Sequence, residues 1–153
     1  MEAGIMPVTV EDFMTKKVVT IEASRTIAEA AKLLADENVG SLIVVSGGKP
    51  VGIITDRDIV VKAVAAGLPV SERVERIMSS PLITVEPQTP IMEAIQLMEK
   101  HSIRRLPVVE HGKVVGMLTS TDVGRASKIL APFLLPRIPE IYLVPLKKEA
   151  KPD

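Results

Sequence analysis

GIITDRD at residues 52–58 and GMLTSTD at residues 116–122 are two copies of one motif, G-x-x-T-x-x-D. The copies lie 64 positions apart, and the same offset aligns residues 14–62 with residues 78–126 without a gap. Sixteen of the 49 aligned positions are identical, and they include apolar, polar and turn residues. The chain is therefore an internal duplication, and we expect each copy to fold into the same unit.

Each copy has the pattern of a short strand, a helix, a β-hairpin and a second helix. The first strands are predicted at residues 18–21 and 82–85, which are apolar and mostly β-branched. The hairpins are predicted at residues 42–55 and 106–119, where two apolar runs flank a turn that contains Gly-Lys. A sheet of three short strands has one face to cover, so we expect the two copies to bury those faces together.

The helices carry start and stop signals. In the first copy Thr26 and Glu29 have the spacing of a capping box before an apolar helical stripe. In the second copy Thr89 is the expected cap, with Pro90 in the first helical turn. The second helix of each copy is predicted to begin at the motif, and Gly67 is predicted to end the first of these.

The composition excludes several classes of protein. Nineteen basic side chains balance nineteen acidic ones, so no global field favours a polyanion, and nucleic-acid binding is not expected. No apolar stretch approaches the roughly 18 residues that span a bilayer, and the first residues lack the pattern of a signal peptide. We therefore expect a cytoplasmic protein with no membrane partner. The absence of cysteine and the separation of His101 from His111 predict no metal site.

The M-T-x-x-V-V-T-I opening at residue 14, a helix with I-x-x-A, a V-V hairpin with G-K and the closing G-h-h-T-x-x-D resemble a tandem cystathionine-β-synthase (CBS) domain pair, or Bateman module. The resemblance covers about residues 8–128. It implies an α/β (α+β) fold of two CBS repeats, each a small three-stranded sheet with two helices, packed about a pseudo-two-fold axis. The expected boundaries are an N-terminal segment 1–13, repeat 14–70, linker 71–77, repeat 78–128 and a Pro-rich apolar C-terminal arm 129–153.

The motif allows two interpretations. A Thr followed three residues later by an acidic residue at a helix start is a capping box, which satisfies orphan backbone N–H groups. The same helix N-terminus also suits a phosphate, and a carboxylate there can accept two hydrogen bonds from ribose hydroxyls. The resemblance favours the second interpretation: it implies that Asp58 and Asp122 bind ribose and that Thr55 and Thr119 bind phosphate or ribose.

Arg104 and Arg105 occur in the second copy alone, just before a predicted strand. Adjacent strand residues face opposite ways, so at most one of the two points into a given cleft. The pair could be solvated, or a guanidinium could bind a phosphate bidentately, as the resemblance implies, with Arg105 favoured over Arg104. The resemblance also implies that the adenine pairs with backbone groups beside the first strands, at Lys17, Val18, Val19, Pro81, Leu82 and Ile83.

No constellation of catalytic residues can be identified, so we expect no catalysis and no required cofactor. The resemblance implies a regulatory module that binds an adenine nucleotide, AMP above all, in the cleft between the repeats, with energy or metabolite sensing as its role. ATP, ADP, S-adenosylmethionine or a dinucleotide are alternatives on the same fold, and a ligand-free interaction module is another. A homodimer and an unknown regulated protein are the expected partners, and the apolar arm could cover a second copy or dock another protein.

Overall fold

The computed structural model describes residues 8–134 of the 153-residue chain, with the side chains of residues 8–132. Most of the arm predicted at residues 129–153 and the beginning of the segment predicted at residues 1–13 lie outside the described residues. Within the described range no helix is long and apolar enough to cross a membrane.

The described residues form five strands and four helices in the predicted order. The first copy contains β1 Thr20–Glu22, α1 Ile27–Glu37, β2 Ser41–Ser46, β3 Lys49–Thr55 and α2, which begins at Asp56–Asp58 and continues as a π-helix over Ile59–Val64. The second contains α3 Ile91–His101, β4 Arg105–Glu110, β5 Lys113–Thr119 and α4 Ser120–Leu134. Short 3-10 turns at Val10–Asp12 and Val74–Arg76 precede the two copies. The mixed α+β fold of two repeats is confirmed.

The sheets of the two copies differ in their first strand. In the first copy β1 runs parallel to β2, which pairs antiparallel with β3. In the second copy β4 and β5 form the hairpin, but the strand predicted at residues 82–85 is reduced to one parallel bridge between Val85 and Val108. The reason is Pro107, because its counterpart Ile43 donates an N–H to Val19 O at 3.0 Å and proline has no N–H to donate. The strand predicted at residues 82–85 is therefore wrong in its length.

The predicted helix cap is present in the first copy and absent in the second. The capping box is confirmed, since Glu29 N donates to Thr26 Oγ1 at 3.1 Å and Thr26 N donates to Glu29 Oε1 at 3.0 Å. The predicted Thr89 cap is wrong, because Pro90 occupies the cap position itself and lies just before the helix. Thr89 instead accepts a hydrogen bond from the backbone N–H of Glu86 at 3.1 Å.

Each copy has its own apolar core, and each core contains residues from the segment that precedes the other copy. Val74 and Ile77 belong to the core of the first copy, which is formed with Ile21, Ala23, Ile27, Ala30, Leu34, Leu42, Val44, Ile54, Ile59 and Ala63. Val10 and Phe13 belong to the core of the second copy, with Val85, Ile91, Ala94, Met98, Leu106, Val108, Leu118 and Ala126. We call residues 8–15 and 72–79 the lead-in segments. Each lead-in segment thus packs on the opposite half.

Backbone pairing confirms the exchange of the lead-in segments. Thr15 and Met117 exchange backbone hydrogen bonds of 2.8 and 2.9 Å, which adds Thr15 to the free edge of β5. Ser79 and Ile53 exchange bonds of 2.8 and 3.1 Å at the edge of β3. The two pairs lie 64 residues apart and are reciprocal, which is the relation that a two-fold axis between the halves produces.

Replacing Glu29 by Gln is expected to destabilise the protein at neutral pH. The backbone N–H of Thr26, followed by the Arg25 guanidinium, holds the pKa of Glu29 below its usual value. A carboxyl with a lowered folded-state pKa stabilises the protein above its unfolded-state pKa, and this contribution is lost as pH falls through the folded-state pKa. Urea unfolding of both proteins between about pH 7 and pH 3 should show a difference that closes on acidification.

Glu93→Gln is the matched control for this experiment. Glu93 occupies the same position in α3, but the residue three before it is Pro90, which has no N–H for the glutamate to accept. The stability difference between Glu93→Gln and wild type should therefore change less with pH. An equal pH dependence in both variants would contradict the role assigned to the capping box.

Candidate functional site

Both copies of the motif form the predicted capping box at a helix N-terminus. Thr55 N donates to Asp58 Oδ2 at 2.9 Å, and Asp58 N donates to Thr55 Oγ1 at 3.1 Å. The corresponding distances for Thr119 and Asp122 are 2.9 and 3.2 Å. Both carboxylates are therefore fixed beside the first turn of a helix, where the partial positive charge of the N-terminus stabilises them.

The glycine of each motif provides space for the crossing lead-in segment. A Cβ atom on Gly116 would lie 2.5 Å from Met14 Sδ and 3.1 Å from Thr15 O. A Cβ atom on Gly52 would lie 2.6 Å from Met78 Sδ and 2.9 Å from the backbone oxygen of the next residue. Real Cβ atoms essentially never lie as close to a backbone oxygen as at Gly52, and the distance at Gly116 is shorter than in most real contacts, so glycine lets the lead-in segment pair with the hairpin without a shift.

The two motif carboxylates have different surroundings. The Asp122 side chain is 3% exposed and accepts hydrogen bonds from Thr15 Oγ1, at 3.2 Å to each oxygen, and from Arg125 at 2.9 Å. The Asp58 side chain is 13% exposed, and its ion pair is with Lys62 at 3.1 Å. Asp122 is thus the more enclosed of the two and has more of its lone pairs in use.

A basic side chain ties each carboxylate to a lead-in segment. Arg125 donates to Phe13 O at 3.0 Å as well as to Asp122, which lies three residues before it. Lys62 donates to Ile77 O at 3.3 Å and lies four residues after its own aspartate. The π-helical turn in α2 is wider by one residue than an α-helical turn, so it places Lys62 where Arg125 lies in α4.

A cleft of about 210 Å³ lies between the two halves. Its lining residues are Thr15, Lys17, Val18, Val19, Val39, Gly40, Ser41, Arg105, Met117 and Thr119. Five of the predicted ligand residues are therefore brought together, and Asp122 lies directly behind Thr15 and Thr119. The sequence left open which first strand faces which motif. The structure shows that residues 17–19, which lie just before β1 of the first copy, face Thr119 of the second motif.

The charged residues that line this cleft are both basic. Arg105 is half-buried, and a guanidinium nitrogen lies 3.1 Å from where a Cβ atom on Gly40 would be, so the glycine leaves room for it. Lys17 donates to Glu37 O at the end of α1 at 2.9 Å and lies 3.8 Å from the Glu37 carboxylate, so the charge of Lys17 is partly neutralised. Among the described residues that line the cleft, none is acidic. The cleft thus offers positive charge to a bound anion.

The structure does not place the other predicted residues in this cleft. Arg104 is exposed, as the alternation of strand side chains requires. Pro81 and Leu82 line a separate cavity of about 470 Å³ between the hairpin turns, and Ile83 packs against the second core. Within residues 8–134, Thr55 and Asp58 line neither of these two cavities.

A wide groove of about 470 Å³ along α1 and β1 is larger than the cleft but chemically less suitable. Four of its five charged lining side chains pair with one another, Arg25 with Glu29 at 2.9 Å and Lys32 with Asp36 at 3.0 Å, and the fifth, Glu22, is acidic. Basic groups already neutralised in this way do not favour an anion. The smaller cleft between the halves is therefore the candidate site.

Reasoning from the sequence missed the two side chains that hold Asp122, and it also missed the lining residues Val39, Gly40, Ser41 and Met117. Thr15 both lines the cleft and bonds Asp122, and Arg125 holds that carboxylate from the opposite side. A signal existed for Arg125, because an arginine three residues after an acidic residue on a helix is positioned to pair with it. No local signal exists for Thr15, because its contact spans 107 residues of sequence.

Comparison with known proteins is consistent with this geometry. Residues 10–64 and 74–128 each match the family model described as CBS domain. The CBS domain-containing protein YhcV of Bacillus subtilis is 39% identical over 116 residues, covering 76% of this chain and 83% of the relative. Among solved structures, an uncharacterized conserved protein from Pyrococcus horikoshii superposes with a TM-score of 0.72 at 37% identity, over 80% of this chain and 94% of that chain.

A third similarity is to a structure with bound ligands. The CBS domain pair of protein MJ0100, in complex with 5′-methylthioadenosine and S-adenosyl-L-methionine, superposes with a TM-score of 0.71 at 36% identity. The superposition covers 79% of this chain and 96% of that chain. The similarity therefore extends over both copies of the duplication.

Replacing Asp122 by Ala is expected to destabilise the ligand-free protein more than replacing Asp58 by Ala. Loss of Asp122 leaves a backbone N–H, a hydroxyl and a guanidinium without their acceptor, at a cost of about 2 to 3 kcal/mol. Loss of Asp58 removes a more exposed cap, at a cost of about 1 kcal/mol. Urea unfolding midpoints measure both, and equal costs would show that the additional Asp122 contacts contribute no stability.

Proposed function

Because this chain belongs to the CBS-domain family, as a tandem pair of CBS repeats, we propose that it is a non-catalytic regulatory module that binds AMP and senses energy or metabolite state. The observation that carries the proposal is the cleft that collects Lys17–Val19, Arg105 and Thr119 from both halves. These residues supply a strand edge, a guanidinium and a helix N-terminus in one cavity. A purine, a phosphate and a sugar require these three kinds of group.

In this proposal each part of the nucleotide has a defined contact. The adenine lies against Val18 and Val19 and pairs with backbone groups of that strand. The phosphate is bound by Arg105 and by Thr119 at the start of α4, and the ribose hydroxyls bind Asp122. Since the strand belongs to the first repeat and the other groups to the second, one ligand contacts both repeats.

The charge of the cleft supports AMP over S-adenosylmethionine. Lys17 and Arg105 line it, and the carboxylate of Asp122 is already paired with Arg125. A phosphate gains from the nearby Arg105 guanidinium, whereas a sulfonium centre is repelled by it. S-adenosylmethionine is nevertheless the second candidate, because the similar MJ0100 domain pair was solved with it and with 5′-methylthioadenosine. ADP, ATP or a dinucleotide would need the cleft to open further.

The first motif differs from the second at its helix start. Asp56 begins α2, whereas Ser120 begins α4 at the corresponding position. A carboxylate at that point repels a phosphate, so a cleft formed by Thr55, Asp58 and residues 81–83 would take a ligand with an uncharged end, or stay empty.

Regulation would follow from linkage between ligand and repeat arrangement. A nucleotide that contacts both repeats stabilises the relative arrangement in which all its contacts are made. A regulated protein in the cytoplasm that prefers the same arrangement would then bind the nucleotide-loaded form more tightly, and by reciprocity would tighten nucleotide binding. The output therefore lies in another chain, whose identity the described surface does not specify.

The proposal includes a homodimer formed through α2. Val60, Val61 and Val64 are exposed on this helix, Val64 to 64%. Three large apolar side chains within five residues of one helix form a patch that a monomer would leave in water, and a second copy could cover it. The predicted apolar arm could extend the same interface, and its residues from 135 onward lie outside the described part of the chain.

AMP binding to the ligand-stripped protein is expected to be saturable in calorimetric titration and to depend on Arg105. Arg105→Gln should weaken AMP binding about 10- to 100-fold, because it removes hydrogen bonds between a cation and a phosphate. Adenosine, which has no phosphate, should bind both proteins alike. This comparison separates a phosphate contact from a general disturbance of the cleft.

Arg104→Gln is the matched control, since Arg104 is the exposed residue next to Arg105, just before β4. Its AMP affinity should stay within about twofold of wild type. Titrations with S-adenosylmethionine and ATP then define the ligand class. If none of the three ligands gives heat or raises the melting temperature, the chain is an interaction module without a nucleotide site.

Val64→Glu is expected to convert the dimer into a monomer, because the substitution places a charge in the proposed apolar interface. Sedimentation equilibrium should give twice the 16.5 kDa chain mass for wild type and the single mass for the variant. Val70→Glu is the control, since Val70 is also exposed but lies outside α2. A wild-type protein that sediments as a monomer would reject the dimer.

A further inference from the structure

Asp122 cannot accept a ribose while the lead-in segment is in the position observed here. Thr15 lines the cleft, and its hydroxyl lies 3.2 Å from both carboxylate oxygens of Asp122. The carboxylate is 3% exposed, and its other contacts are the Thr119 N–H and Arg125. A ribose hydroxyl must therefore replace the hydroxyl of Thr15.

We propose that nucleotide binding displaces Thr15 from Asp122, so that the first lead-in segment, residues 8–15, reports whether the cleft is occupied. The inference rests on the proposed function, because it concerns the same cleft. It adds how binding in the cleft is transmitted to the lead-in segment. The Thr15 hydroxyl occupies the acceptor in the empty protein, and the ribose occupies it in the bound protein.

The contacts of the lead-in segment explain how replacement of the Thr15 hydroxyl by ribose affects the rest of the segment. Arg125 donates both to Asp122 and to Phe13 O, so a carboxylate that turns toward the ribose also weakens the hold on Phe13. The Thr15 backbone pairs with Met117, whose side chain lies in the cleft wall. Val10 and Phe13 anchor the rest of the segment in the second core. Displacement of Thr15 therefore loosens the end of a segment that otherwise remains attached.

The first motif lacks this arrangement. Ser79 is the counterpart of Thr15, and it is exposed. Within residues 8–134 the side-chain contacts of Asp58 are with Thr55 and Lys62, and none is with Ser79. The exchange is therefore specific to the Asp122 cleft, and Ser79 offers a matched control.

The test combines AMP titration with amide hydrogen exchange on the full-length protein and three variants. Thr15→Val removes the hydroxyl and keeps the shape, Thr15→Ser restores a hydroxyl, and Ser79→Ala is the control. The amides of Phe13, Met14 and Thr15 are hydrogen-bonded to backbone oxygens, so their exchange reports opening of the segment.

In the wild-type protein, AMP should accelerate exchange of these amides. Thr15→Val should exchange faster without ligand, show no further acceleration with AMP, and bind AMP roughly three- to tenfold more tightly, because one competing hydrogen bond is gone. Thr15→Ser should restore wild-type behaviour, and Ser79→Ala should match wild type in both measurements.

Three outcomes would overturn the inference. If AMP binds the wild-type protein and slows or does not change exchange of these amides, occupancy does not displace the segment. If Thr15→Val binds AMP more weakly than wild type, Thr15 is a contact of the ligand and not its competitor. If AMP binds neither wild type nor Thr15→Val, the proposed function fails, and this inference fails with it.

Discussion

The crossing of the two lead-in segments is the contact on which the rest of this fold depends. Each hairpin gains an additional pairing residue from the opposite half, Thr15 on β5 and Ser79 on β3. Each apolar core gains two buried side chains by the same exchange. The motif glycines are needed for it, since a Cβ atom at either position would contact the crossing backbone. The glycine of G-x-x-T-x-x-D is therefore explained by packing between the halves, independently of any ligand.

The same crossing determines how the site is built. Because the first lead-in segment passes over β5, the strand that follows it faces the motif of the second repeat, and the cleft draws on both. The capping and ligand-binding interpretations of the motif are consequently compatible. The caps are present in the empty protein, and the buried Asp122 has more partners than a cap needs. The Asp122 carboxylate can keep its hydrogen bond to the Thr119 N–H while a ligand hydroxyl replaces the Thr15 hydroxyl.

Local features were the part of the structure that the sequence could predict. The duplication, the hairpins and the Thr26 capping box depend on residues close in sequence, and each was confirmed. The crossing could not be predicted, because the two copies have the same pattern. A lead-in segment could therefore pair equally well with the hairpin of its own half or with that of the other half. The strand at residues 82–85 was overestimated because Pro107, more than twenty residues away, withholds the N–H that would extend it. Arg105 lines the cleft and the exposed Arg104 does not, while the binding of a phosphate by Arg105 stays a prediction.

The exchange of lead-in segments also bears on how such a chain could have arisen. A half-length chain with one repeat would fold its own lead-in segment away from its hairpin, and its core would lack two buried residues. The half-length chain could complete its hairpin pairing and its core by exchanging lead-in segments with an identical chain, which is domain swapping. Fusion of two genes would then convert an obligate association between molecules into an internal one. The ancestor implied by the duplication was thus a swapped dimer before it was a tandem repeat, and the single chain retains that dimer's symmetry.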